Sequence, residues 1–128
     1  MTDRRKRVER RRHKRFDLPT GVYVSCRPHG PRLGEVINIS RGGLAFRYYG
    51  DYADEEPSND SNKLNIFLEE GNFHLNDVPF RTVTDFGIRQ APFPSVTMRR
   101  SNIQFNHLTD LQVSQLQNFI ENYAIGEA

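Results

Sequence analysis

From Phe16 onward, short runs with an apolar residue at every second position alternate with clusters of Gly, Pro, Asn and Asp, and this rhythm constrains the fold more than any other feature. Leu44, Phe46 and Tyr48 fall on one side of an extended segment, with Ala45 and Arg47 on the other. Leu64, Ile66 and Leu68 alternate with Asn65 and Phe67, and Val78, Phe80 and Thr82 alternate with Pro79 and Arg81. A period of two sends successive side chains to opposite faces, so each run predicts an antiparallel strand with one buried face. The predicted strands lie near 21–27, 33–40, 43–49, 63–68, 77–86 and 96–106. That many strands in 128 residues leave exposed edges unless the sheet curls shut. The expected architecture is therefore mainly β, a six-stranded antiparallel barrel rather than a flat sheet.

Two stretches punctuate the strands. Residues 51–62 are acidic and rich in turn formers, and a flexible loop is expected there. Residues 87–94 contain Pro92 and Pro94, which would interrupt a central strand, so a second loop is expected from Gly87. The period then changes. Thr109-Asp110-Leu111-Gln112 has the form of a capping box and predicts a helix running to about Tyr123. Leu108, Leu111, Leu116, Phe119, Ile120 and Tyr123 lie near one stripe, which is expected to pack on the barrel and plug an open end, with Gly126 as the stop signal.

The formal charge of +2 hides a division. Residues 1–15 carry a net +7 and the remainder a net −5. With Val8 its sole aliphatic residue, the basic stretch has no face to bury, so the chain divides into a flexible basic arm over 1–10 and a single domain over 11–128. This excludes a uniformly basic, histone-like protein and points to an anionic partner for the arm.

Catalytic and metal chemistry have little to stand on. Cys26 is alone, within a strand-like run, and reads as a small buried thiol. His13, His29, His74 and His107 lack ligand-like spacing and read as surface histidines. Glu69-Glu70 and Asp54-Glu55-Glu56 are solvated charge rather than an acid–base pair, and no nucleophile elbow, phosphate loop or zinc-protease motif occurs. Neither an enzyme nor a metal is expected. No apolar run is long enough to span a bilayer, and none follows the N-terminal charges as in a signal peptide, so the expected location is the cytoplasm.

Two motifs remain. Arg11-Arg12-His13-Lys14-Arg15 contains Arg-x-x-x-Arg immediately before Phe16, although an Arg-rich tail produces that spacing readily, as Arg7 and Arg11 show. Asn38-Ile39-Ser40-Arg41-Gly42-Gly43 has the form Asn-x-Ser-x-x-Gly between two predicted strands. It reads as a tight connection in which Gly42 or Gly43 supplies a positive φ. It also reads as a ligand face on which Asn38 and Ser40 offer an amide, a hydroxyl and open backbone N–H groups beside Arg41.

In this order and context the pair resembles the PilZ-domain family, and the resemblance extends from about Arg10 to Tyr123, including Asn102-Ile103-Gln104-Phe105 ahead of the helix. The resemblance implies a PilZ-like split barrel with a C-terminal helix, and it implies binding of the bacterial second messenger cyclic di-GMP. By that resemblance Arg11 and Arg15, with Arg12 as a third contributor, and Asn38, Ser40, Arg41, Gly42 and Gly43 form the ligand site. Two departures stand out: Asn38 occupies a position where Asp is more frequent, and Asn102 one where Gly is frequent. The expected function is a cytoplasmic receptor or adaptor that orders its N-terminal segment on binding and so alters the surface a protein partner meets. The alternative, a nucleic-acid-binding protein acting through the basic arm, sits poorly with the net acidic domain. A PilZ fold that has lost its ligand is disfavoured because both motifs are present.

Overall fold

The computed structural model describes residues 13–27, 32–50, 62–71, 73–90 and 97–128. Their elements are β1 (Phe16–Asp17), β2 (Val22–Arg27), β3 (Arg32–Ile39), β4 (Gly43–Gly50), β5 (Lys63–Leu68), β6 (His74–Gln90), β7 (Thr97–Phe105), α1 (Asp110–Tyr123) and β8 (Gly126–Glu127). All strand pairings are antiparallel. β2, β3 and β4 form one meander and β5, β6 and β7 another, joined edge to edge along β4–β7 and β2–β5. Because β2 pairs with both β3 and β5, the strands from β2 to β7 close into a six-stranded barrel, which removes the edges a flat sheet would expose.

Strand period explains the core. Val22, Val24, Leu44, Phe46, Tyr48, Leu64, Ile66, Val78, Phe80 and Ile103 point inward, each worth about 1.5–3 kcal/mol when fully removed from water. Cys26 is a buried thiol, as expected. One polar cluster shares the interior. Arg99, 5% exposed, donates from Nε to Asp85 Oδ1 at 2.7 Å, and the Tyr48 hydroxyl donates to Asp85 Oδ2 at 2.5 Å. Burial works to lower the Arg99 pKa, but hydrogen bonds and charge from Asp85 and Tyr48 outweigh it and hold the guanidinium above its ordinary value.

α1 opens on the expected capping box. Thr109 Oγ1 accepts from the Gln112 N–H, and Gln112 Oε1 accepts from the Thr109 N–H, each at 3.0 Å. Gln112 Nε2 also donates to the Asn76 and Asp77 carbonyls, tying the helix start to β6. Leu116, Phe119 and Ile120 enter the barrel core, and the Phe119 ring lies 4.5 Å from Phe73 and 5.1 Å from Tyr123.

The structure corrects the sequence reading at several points. β6 runs from His74 through Gln90, so residues 87–90 are strand rather than loop. They continue the ladder to β7 through Gly87↔Arg99, Arg89↔Met98 and Gln90↔Thr97. Register shifts at Thr82/Thr84 and Gly87/Arg89 insert Val83 and Ile88 as bulges, which let so long a strand bend around the barrel. The breaking prolines, Pro92 and Pro94, follow the last strand residue and lie outside the described residues. β1 and β8 were not predicted, being too short to show a period. Leu111 is exposed, so the helix stripe is narrower than it reads. Gly126 does not stop the helix, which ends in an extended Ala124, but belongs to β8. Residues 1–12, which include the whole expected arm over 1–10, and 51–61, nearly all of the expected acidic loop, lie outside the described residues. Among the described residues no helix is long and apolar enough to cross a membrane.

Candidate functional site

β3 ends at Ile39 and β4 begins at Gly43, leaving residues 40–42 to reverse the chain. The Ser40 hydroxyl closes this turn. Its oxygen accepts from the Gly42 N–H at 3.0 Å and the Gly43 N–H at 3.2 Å, and it donates to the Gly43 carbonyl at 3.3 Å. A hydroxyl has one donor and two lone pairs, so the capacity of Ser40 is used within the turn. The open donors expected of Ser40, Gly42 and Gly43 are thus bonded to one another within the turn.

The glycines also serve a different purpose from the expected one. Neither Gly42 nor Gly43 has a positive φ. A Cβ on Gly43 would stand 2.1 Å from the Ile103 carbonyl oxygen, and one on Gly42 would stand 2.7 Å from the His13 ring. Gly43 lets β4 and β7 converge, and Gly42 seats His13.

Beside the turn, Asp17, Asn38, Ala45, Asn102 and Thr84 stand in register across β1, β3, β4, β7 and β6. Leu44 and Phe46 face the core, so this row faces outward, yet Ala45 is fully buried and Asn38 is only 8% exposed. Asn102 is anchored at both ends of its amide: Nδ2 donates to Thr84 Oγ1 at 2.6 Å, and Oδ1 accepts from Arg100 Nε at 3.3 Å. Asn38 is not anchored in this way. Its Oδ1 is buried with no hydrogen-bond partner among the described residues. A buried acceptor left without a donor costs about 1–3 kcal/mol, which makes it the one unsettled polar group of the row.

A cleft of about 430 Å³ opens next to this row. Residues 102–105 of β7, the 40–43 turn, His13, Arg15, Val83, His107 and Leu108 line it. Arg15 and Arg41 bring positive charge, and no carboxylate is among the described lining residues, so the cleft suits an anion. Arg15, Ser40, Arg41, Gly42 and Gly43 are thus brought together, whereas Asn38 lies just outside the lining and Arg11 and Arg12 lie outside the described residues. No group of His, Cys, Asp and Glu that could hold a metal occurs among the described residues.

Sequence reasoning missed several members of this cleft. Asn102 and Gln104 share the outward face of β7, a period-two relation readable in principle, and Arg81 holds Gln104 Oε1 at 2.7 Å. His13 sits inside the arginine motif but was read as a surface histidine, and it is indeed exposed. Val83 is outward because of a bulge, and His107 adopts a left-handed φ of 46°, neither of which has a local sequence signal.

Comparison with known proteins adds the following. The sequence matches the profile of the PilZ domain over residues 9–122. The fold is similar to the PilZ domain with c-di-GMP of YcgR from Escherichia coli, with a TM-score of 0.69, 14% identity, and coverage of 88% of this chain and 90% of that one. It is also similar to the MrkH–c-di-GMP complex of K. pneumonia, with a TM-score of 0.66, 17% identity, and coverage of 89% of this chain. The Bacillus subtilis inhibitor of motility MotI/DgrA gives a TM-score of 0.60 at 22% identity over 88% of this chain. The matched region spans 51% of each of the latter two proteins. No curated protein matches the sequence.

Proposed function

The chain belongs to the PilZ-domain family, and from that premise we propose that it is a non-enzymatic receptor for cyclic di-GMP. The ligand engages Arg11, Arg12 and Arg15 of the arm together with Asn38 and the turn formed by Ser40, Arg41, Gly42 and Gly43. The observation that carries this reading is the buried, partnerless Asn38 Oδ1 beside a cationic cleft. Guanine presents adjacent N1–H and N2–H₂ donors, and a carboxamide oxygen is a suitable acceptor for them. Arginine forks match guanine O6 and N7 or clasp a phosphate. Ser40 acts by fixing the turn that places Arg41 and Gly43, since its hydroxyl is bonded within that turn. Signalling, in the cytoplasm, follows from ordering of the residues around Arg11 to Arg15, which changes the surface offered to a protein partner.

The test is calorimetry with cyclic di-GMP, GTP and a short duplex DNA, on the wild type, Arg15→Ala and Ser40→Ala. Binding of cyclic di-GMP alone, weakened in both variants, is the expected result. Binding of DNA in its place, lost on removing residues 1–9, supports the nucleic-acid reading and overturns this one. Amide NMR dynamics at residues 10–17 that do not change on saturation would sink the switch.

A further inference from the structure

At the Asn38–Ile39 end of barrel strand β3, β1 and β8 add on to form a narrow three-stranded extension. On one side Phe16 and Asp17 of β1 pair with Ile39 and Asn38, and on the other with Glu127 and Gly126. Two backbone bonds fasten the outer side: the Ala128 N–H donates to the Arg15 carbonyl at 2.8 Å, and the Ile125 N–H donates to the Asp17 carbonyl at 2.9 Å. Lys14 Nζ lies 3.4 Å from Glu127 Oε2, an exposed pair that adds little by itself. β1 is only two residues long, and it joins the arginine arm to the barrel at the strand position of Asn38. β8 is firmly based, because it follows α1, whose Leu116, Phe119 and Ile120 lie in the core.

We propose that residues 125–128 are a clasp that positions Arg15 for the ligand by fixing the backbone where the arm leaves the barrel. This rests on the cyclic di-GMP reading above. The apparent affinity scales with the fraction of molecules whose Arg15 is correctly placed, so a looser clasp weakens binding, and by reciprocity ligand tightens the clasp. Gly126 is where the clasp can be strengthened. It has no positive φ, and a Cβ there meets nothing within 4 Å, so a β-branched residue fits and favours extended backbone.

The experiment is cyclic di-GMP calorimetry on the full chain, with Ala128→Pro and Ile125→Pro deleting one donor each and Gly126→Val stiffening the strand. Each proline variant is expected to bind roughly 3- to 10-fold more weakly, the range set by one backbone hydrogen bond. Gly126→Val is expected to bind more tightly, and saturating ligand to slow amide exchange at Ile125 in the wild type. In an Arg15→Ala background Ala128→Pro has no further effect, because the clasp acts through that side chain. Proline variants that bind as the wild type does, or more tightly, overturn the clasp, as do losses that simply add in the double variant. A wild type that does not bind cyclic di-GMP overturns the receptor reading and the clasp together, a result distinct from failure of the clasp alone.

Discussion

Replacing Asn38 with Leu sets the stability of the empty protein against its capacity to bind. Leucine keeps the branched heavy-atom skeleton of asparagine but is bulkier, so the change opens no cavity, removes the partnerless Oδ1, and adds crowding that costs up to about 1–3 kcal/mol. The relief is the cost of that orphaned acceptor, about 1–3 kcal/mol. For a chain of this size each kcal/mol moves the thermal midpoint by roughly 3–5 °C. Relief and crowding are of similar size, so the ligand-free variant is expected to melt no more than about 15 °C above wild type and not far below it. Cyclic di-GMP binding is expected to fall by at least tenfold, since an isobutyl group accepts no hydrogen bond and leaves guanine donors unpaired. Differential scanning calorimetry with and without ligand reads both effects. Asn38→Asp carries the opposite signature: a buried carboxylate weakens the empty protein, and a charged acceptor tightens the complex. A Leu variant that keeps the wild-type circular dichroism spectrum but loses more than about 3 kcal/mol, beyond what crowding costs, refutes the reasoning, because the amide was then satisfied without ligand.

Other expectations follow from the same geometry. Gly43→Ala sets a Cβ against the Ile103 carbonyl, backbone against backbone, and should cost about 3 kcal/mol or more in urea denaturation. Gly42→Ala meets only the exposed His13 ring and should leave the denaturation midpoint nearly unchanged. Asp85→Ala removes the carboxylate that pairs with the buried Arg99 guanidinium and should cost about 3–5 kcal/mol, whereas Tyr48→Phe removes the hydroxyl bonded to Asp85 and should cost about 1–2 kcal/mol. A base whose folded pKa is raised contributes stability at every pH below its unfolded value. Arg99 should therefore make the Asp85→Ala deficit constant from neutral to mildly alkaline pH in denaturation series. Thr109→Ala should lower stability by about 1 kcal/mol through loss of the cap, a loss that Thr109→Ser largely avoids.

The barrel was legible because its strands alternate cleanly. Leu44, Phe46 and Tyr48, and likewise Leu64 with Ile66 and Val78 with Phe80, all face the core as their period requires. The helix was legible because both halves of its capping box lie within four consecutive residues. Bulges were not legible, since Val83 and Ile88 are ordinary strand residues whose extra position exists only relative to β7. β1 and β8 were hidden for a related reason: two residues carry no period, and their pairing joins segments near opposite ends of the chain. At the site, sequence order found the β3–β4 turn but not the hydrogen bonds within it. Whether Ser40 faces a ligand or its own turn depends on hydrogen-bond angles, and whether Gly43 is there for φ or for space depends on how near Ile103 comes. Asn38 was found by motif, yet only its surroundings show that its carbonyl lacks a donor.

The two meanders give the cleft a kinetic meaning. Each meander is stitched by neighbouring hairpins, whereas β4–β7 and β2–β5 join segments distant in sequence, and such pairings form late because loop closure must precede them. The cleft lies across the β4–β7 seam, with the 40–43 turn on one half and residues 102–105 on the other. A ligand held there bridges two units that separate when the barrel opens, so its stabilisation falls on the rate of unfolding rather than of folding. Occupancy would then be recorded as lifetime: the loaded protein outlasts the empty one under proteolysis even where both are almost wholly folded.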